Sequence, residues 1–173
     1  MAHPKEEICY YFHDKVGWLR LHATDKGVSE LTFVPQPDSD HAQPSSPVMK
    51  QLIRELDAYF SGAPLRFLTP VDVSWGSPFC RDVWSALQTV PYGKTISYGG
   101  LAAMIGKPGA ARAVGLAVGK NPAPIIIPCH RVIRSDGSLG GYGPGVALKQ
   151  SLLDLEHSAQ ETAMDAMKAQ RKS

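Results

Sequence analysis

Three short runs rich in β-branched and aromatic residues, 9–13, 18–23 and 29–34, fall at the start of the chain, and helical periodicity replaces them from about residue 46 onward. Strands followed by helices, as opposed to strands alternating with helices, imply an α+β arrangement. The links Asp14-Lys15 and Asp25-Lys26-Gly27 suit tight turns, so the runs are expected to pair as an antiparallel meander. The Pro/Ser/Asp-rich stretch PQPDSDHAQPSSP then reads as an exposed loop. Ser45 or Ser46 is placed to cap a helix with Pro47 in its first turn, and Val48, Leu52, Ile53, Leu56, Tyr59 and Phe60 give that helix an apolar stripe ending at Ser61-Gly62.

Composition shifts near Ser74-Trp75-Gly76, where a domain boundary is expected. The chain divides into residues 1–75, residues 76–157 and a polar tail, 158–173. Ser77-Pro78 makes a cap and first-turn pair, and Phe79, Val83, Trp84 and Leu87 share one helical face before Pro91-Tyr92-Gly93. Ser97 starts a helix over residues 98–105, and Gly106-Lys107-Pro108-Gly109 turns the chain into another over residues 110–119, which is a helix-turn-helix pattern. The second of these reads AARAVGLAVGK. Its small side chains allow close approach to another surface, or simply tight packing in a core, and Arg112 is the one long side chain near its start. A glycine-rich segment, LGGYGPG, lacks the Gly-Lys-Ser/Thr ending of a Walker phosphate loop. The last predicted helix spans 146–156 on Leu148, Leu152, Leu153 and Leu155, and the tail beyond it is expected to fray.

The formal net charge is only +2, but it is unevenly spread. Residues 81–134 hold seven Lys and Arg against Asp82 alone, whereas residues 1–80 are acidic on balance. Clustered cations suit a polyanion, although a solvated basic face fits the same numbers. No apolar run approaches the ~18–20 residues needed to cross a bilayer, and the amino terminus lacks a signal pattern, so the cytoplasm is the expected compartment. Three scattered cysteines, Cys9, Cys80 and Cys129, do not make a disulfide framework.

The stretch IIIPCHRV sets Cys129 beside His130 and Arg131 directly after a hydrophobic run. An ordinary thiol has a pKa of about 8.5, so a nucleophilic Cys129 needs a base or a positive charge nearby. Adjacent residues of an extended chain face opposite ways, so His130 reaches the thiol through a turn or a bridging water. An acid should orient the imidazole, and Asp154 and Glu156 are the candidates. A zinc site is the competing reading, but there is no C-x₂₋₄-C or H-x₃₋₅-H pair. Cysteine-protease signatures are also missing. A small buried cysteine with no chemistry is the third possibility.

The succession Pro91-Tyr92-Gly93-Lys94-Thr95, Ser97-Tyr98-Gly99, Ala110-Ala111-Arg112-Ala113-Val114-Gly115, Asn121-Pro122-Ala123-Pro124, Pro128-Cys129-His130-Arg131-Val132, Gly140-Gly141-Tyr142 and Leu152-Leu153 through Glu156 closely resembles the O6-alkylguanine-DNA alkyltransferase family. The resemblance spans about residues 78–156. It implies an amino-terminal α/β domain with a small antiparallel sheet and a mainly helical carboxy-terminal domain carrying a winged-helix-like helix-turn-helix. It implies that Cys129 accepts the alkyl group of O6-methylguanine, and possibly of O4-methylthymine, irreversibly and once per molecule, without a cofactor. His130 is then the base acting through water, Glu156 completes the relay, and Asn121 braces the turn that carries the thiol. Arg112 becomes a finger that fills the space of the flipped nucleotide, and Tyr98 helps rotate that nucleotide's phosphate. Ala111, Ala113, Gly115 and Lys120 belong to the DNA face. Pro124, Val132, Tyr142 and Gly143 line the base pocket.

The expected partner is double-stranded DNA containing O6-alkylguanine, bound by a monomer that associates with the nucleoid. Some relatives carry zinc in the amino-terminal domain, but no matching Cys/His set stands here, so no metal is expected. Cys80 stands where many relatives have a polar residue, and Gly143 lacks a hydroxyl that some have, which suggests a roomier pocket. The alternative is a non-enzymatic, alkyltransferase-like protein that binds the lesion without repairing it; such relatives lack the acceptor cysteine. A regulator with a fused extra domain does not fit the length.

Overall fold

The computed structural model describes residues 5–38, 40 and 42–172. Three strands, β1 (Glu7–His13), β2 (Gly17–Thr24) and β3 (Gly27–Val34), form an antiparallel meander in that order. Alternation, reset once by a register shift of the β2–β3 pairing at His22/Ala23, buries Cys9, Tyr11, Leu19, Leu21, Ala23, Val28 and Leu31. Helix α1 (Pro47–Phe60) covers these residues with Met49, Leu52, Leu56, Tyr59 and Phe60. Its cap is Ser46, whose Oγ accepts from Met49 N at 3.1 Å, and Pro47 occupies the first turn, where a missing N–H costs nothing.

The second half is mainly helical. Helix α2 (Pro78–Leu87) is capped by Ser77, and its buried side includes Cys80, which joins the core instead of facing solvent. A two-residue strand β4 (Ile96–Ser97) leads into α3 (Tyr98–Met104), and the 106–109 turn leads into α4 (Ala111–Gly119). Ser97 caps α3 through Gly100 N at 3.0 Å. Trp84 of α2 donates its indole N–H to Ala117 O at 2.9 Å and so locks α4 against α2. A short 3₁₀ turn, Cys129–Arg131, is followed by β5 (Val132–Ile133), which pairs in parallel with β4. That pairing ties the strand leaving Cys129 to the entrance of the helix-turn-helix.

The α+β arrangement expected from the sequence is the one observed. The chain's end differs. Helix α5 (Val146–Gln170) continues well past Glu156, because residues 157–170 are rich in Ala, Glu, Gln, Met and Lys, all strong helix formers. Its last turns are exposed, so propensity and not packing sustains them. No helix among the described residues is long and apolar enough to cross a membrane.

Candidate active site

The segment that delivers Cys129 is held in a form its sequence would not choose alone. Ile125 sits at φ 76°, left-handed backbone that a β-branched residue strongly disfavours. Asn121 braces it from both sides, donating Nδ2–H to Ile127 O at 2.7 Å and accepting Ala123 N–H on Oδ1 at 2.9 Å. Pro128, at φ −79° and ψ 65°, makes an inverse γ-turn closed by Cys129 N–H to Ile127 O at 2.7 Å. The run Ile125-Ile126-Ile127 is buried, so the turn is anchored in the core.

Cys129 is 6% exposed, on the wall of a cavity of about 250 Å³ shared with Tyr98, Gly115, Asn121, Pro124, Tyr142 and Gly143. This is below the ~300 Å³ at which pockets for drug-sized ligands begin and suits one flat ring system. Burial pushes the thiol pKa up, and the side chains of Asn121 and Tyr142 and the charge of Lys149 oppose that shift without reversing it. The resting group is therefore the thiol. The Tyr142 hydroxyl is buried with no conventional partner and is placed to donate to Sγ once charge develops there.

Behind the thiol lies a sealed polar cluster. Glu156 is fully buried and accepts from His130 Nε2 at 2.6 Å, from Tyr59 Oη at 2.8 Å and from Gly93 N at 3.0 Å. Arg131 adds Nη2–H at 2.9 Å and Nε–H at 3.0 Å, and its Nη1 donates to Val90 O at 2.7 Å. Gly93 turns its N–H toward the carboxylate at φ +73°, where a side chain would be strained. Burial raises the Glu156 pKa, but the contacts with His130 and Arg131 outweigh it and hold the carboxyl at about 2. Burial pushes His130 the other way, below its ordinary value, so the imidazole is neutral. With Nε2 on Glu156, its Nδ1 is buried and unpartnered. A neutral imidazole whose free nitrogen has no partner is a proton acceptor waiting for a donor.

A family model described as the 6-O-methylguanine DNA methyltransferase DNA binding domain matches residues 78–158, and a second, its ribonuclease-like domain, matches residues 8–73. The methylated-DNA--protein-cysteine methyltransferase of Mycobacterium tuberculosis is 49% identical over 135 residues, 78% of this chain and 80% of that protein. The chain belongs to the 6-O-methylguanine DNA methyltransferase family. A protein of the same description from Methanosarcina acetivorans is 39% identical over 157 residues, covering 86% of this chain and 99% of the relative. Among solved structures, Mycobacterium tuberculosis OGT in complex with DNA superposes with a TM-score of 0.77 at 42% identity, over 88% of this chain and 93% of that one.

Within this family fold, the structure brings Cys129, His130, Glu156, Asn121, Pro124, Tyr142 and Gly143 together at one site. Val132 is not on the cavity wall. It is fully buried in the second core cluster, and its carbonyl accepts from Lys149. Of the two acids left open, Asp154 faces solvent and bonds Gln150, whereas Glu156 meets the histidine. Arg112 and Ala113 on α4 and Lys120 at its C-cap are exposed, and an open groove is lined by Tyr98, Ala111, Arg112, Gly115, Arg134 and Gly141. Arg134 in that groove was not singled out from the sequence. Nor was Lys149, whose fully buried ammonium donates to Val132 O and Leu139 O at 2.5 Å each and fixes the loop carrying Tyr142. A signal for it was present: Lys149, Leu152, Leu153 and Glu156 share one helical face. Among the described residues no group of three or more His, Cys, Asp or Glu is arranged to hold a metal ion.

Proposed function

We propose that this protein repairs O6-alkylguanine in double-stranded DNA by moving the alkyl group to Cys129, once per molecule. The observation that carries the reading is a nearly buried thiol on the wall of a ring-sized cavity, backed by a neutral histidine and an ionised glutamate. An O6-alkyl carbon inside a duplex cannot meet such a thiol, so the nucleotide must leave the stack, at a cost of a few kcal/mol. Helix α4 offers Ala and Gly to a minor groove, and Arg112 at its start fills the gap. Tyr98 turns the phosphate of the flipped nucleotide, and Pro124, Tyr142 and Gly143 hold the base.

In the chemical step the thiol proton passes through a water molecule to His130 Nδ1. Sγ bonds to the alkyl carbon as the carbon–O6 bond breaks. Guanine leaves with one proton gained, balancing the one lost by the thiol. The developing imidazolium is stabilised by Glu156 through Nε2, the role of the buried acid in a catalytic triad. Cys129 ends as a thioether, a poor leaving group, and among the described residues no second cysteine lines its cavity. We place the protein with DNA in the cytoplasm and treat residues 1–75 and 76–157 as its two domains.

Incubation with excess duplex containing O6-methylguanine, followed by intact mass and peptide mapping, tests this. One added methyl per chain on Cys129, matched by one restored guanine, is expected. Tight lesion binding without a mass change would instead identify a damage-sensing protein, a reading that the Cys129 thiol itself argues against.

A further inference from the structure

Tyr59 belongs to α1, in the amino-terminal half of the chain, yet it is fully buried against the carboxylate at the heart of the other half. Its hydroxyl donates to Glu156 Oε1 at 2.8 Å and stands 3.4 Å from His130 Nε2. The ring is held edge-on to Tyr92 at 5.6 Å between centroids and is wedged beside Phe60 and Phe67. Nothing in the relay described above requires a phenol at that point.

A neutral imidazole carries one N–H and one lone pair, and the bond made by one nitrogen decides which role the other plays. Two oxygens face Nε2: Glu156 Oε1 at 2.6 Å and Tyr59 Oη at 3.4 Å. The carboxylate has no hydrogen to offer. The phenol has one, and a bond to an ionised acceptor is about twice as strong as one to a neutral nitrogen, so that hydrogen stays on Oε1. Nε2 is therefore surrounded by lone pairs and must keep its own hydrogen. The imidazole lone pair falls on Nδ1, the buried nitrogen that has no partner.

We propose that Tyr59 is a positioning residue for alkyl transfer: it fixes the Glu156 carboxylate and the Nε2–H tautomer of His130, leaving Nδ1 as the base that draws the proton from Cys129. The proposal rests on the relay reading above. It also gives the amino-terminal half a direct part in activating a nucleophile that lies 70 residues further along the chain.

The test is Tyr59→Phe, which keeps the ring and removes the hydroxyl. Single-turnover rates are measured with free O6-benzylguanine and with lesion duplex from about pH 5 to 9. Both rates are expected to fall by the same factor, about tenfold, as for loss of a partner that orients a functional histidine. The acid limb should also move to higher pH. Glu156, with one donor fewer, pulls harder on the imidazole and stabilises its protonated form in the field of Arg131, Lys149 and Tyr92. A lowered plateau with an unmoved limb, a loss confined to duplex, or rates equal to the unaltered protein would each overturn the proposal. Nitrogen-15 shifts of His130 in the unaltered protein supply a second measurement that does not depend on the variant folding. A protonated Nε2 is expected, and a protonated Nδ1 would overturn the idea. His130→Gln separates the two readings: if it slows transfer and Tyr59→Phe does not, only the tyrosine proposal fails. If neither slows transfer, the relay itself is wrong.

Discussion

Replacing Glu156 by glutamine keeps the length of the side chain and one of the two acceptor oxygens that Tyr59 and Gly93 use separately, but removes the negative charge on which Arg131 and His130 converge. The gap between a carboxyl at about 2 in the fold and its ordinary 4.5 corresponds to about 3 kcal/mol of stabilisation at neutral pH. A second route gives the same scale: removing one member of a buried ion pair costs about 3–5 kcal/mol, because the other charge is left unpaired. Urea unfolding at pH 7 should therefore find Glu156→Gln less stable by about 3–5 kcal/mol, a large part of the ~5–15 kcal/mol available to a typical domain. The sign of the pH dependence follows from the depressed value. The contribution is complete above about 4.5 and is lost as pH falls toward about 2. The difference between the two proteins should thus shrink by about 2 kcal/mol between about pH 6 and pH 3. A variant within about 1 kcal/mol of the unaltered protein at pH 7, or a difference that does not change with pH, would refute the reasoning.

Cys129→Ser should abolish transfer and leave binding to lesion duplex intact; equal loss of both would mark the cysteine as structural. Arg112→Ala should slow repair in duplex at least about tenfold, equivalent to ~1.4 kcal/mol of barrier, while reaction with free O6-benzylguanine stays within about twofold. Equal slowing with both substrates would remove the finger role. A Cβ at Gly143 meets no atom within 4 Å, so Gly143→Ser should fold normally and narrow the cavity. Reaction with O6-benzylguanine should slow, and an unchanged or faster rate would show that this position does not set the pocket's width.

What the sequence made legible was local or periodic. Ser46, Ser77 and Ser97 announce their helices because a cap bonds a backbone N–H only a few residues ahead. The meander follows from alternation, and the Cys129–His130 pair with an acid on the last helix follows from motif and spacing. The remainder depends on contacts the chain makes with distant parts of itself. The Tyr59–Glu156 bond joins residues 97 apart, and on α1 alone that tyrosine reads as one more apolar position in a stripe. Arg131 counted toward a basic surface until it proved buried between Glu156 and Val90 O. Val132 is assigned to the pocket by the resemblance alone, whereas here it lies on β5 and its side chain turns into the core. The left-handed Ile125 is invisible to propensity, since only the brace from Asn121 makes that conformation tenable. The length of α5 differs from expectation for another reason: residues 157–170 are polar, which suggests fraying, but their helix propensity is high.

A group that can react only once is spent by any wrong encounter. Peroxide and small alkylating agents attack cysteine in its thiolate form and where solvent reaches it. Cys129 offers them little of either, being 6% exposed and pushed toward the protonated thiol by its own burial. The arrangement that makes the thiol a poor nucleophile at rest therefore serves as its preservative. The resting thiol should therefore react slowly with such agents, and its chemistry begins when a base small and flat enough to enter the cavity brings the alkyl carbon to the sulfur.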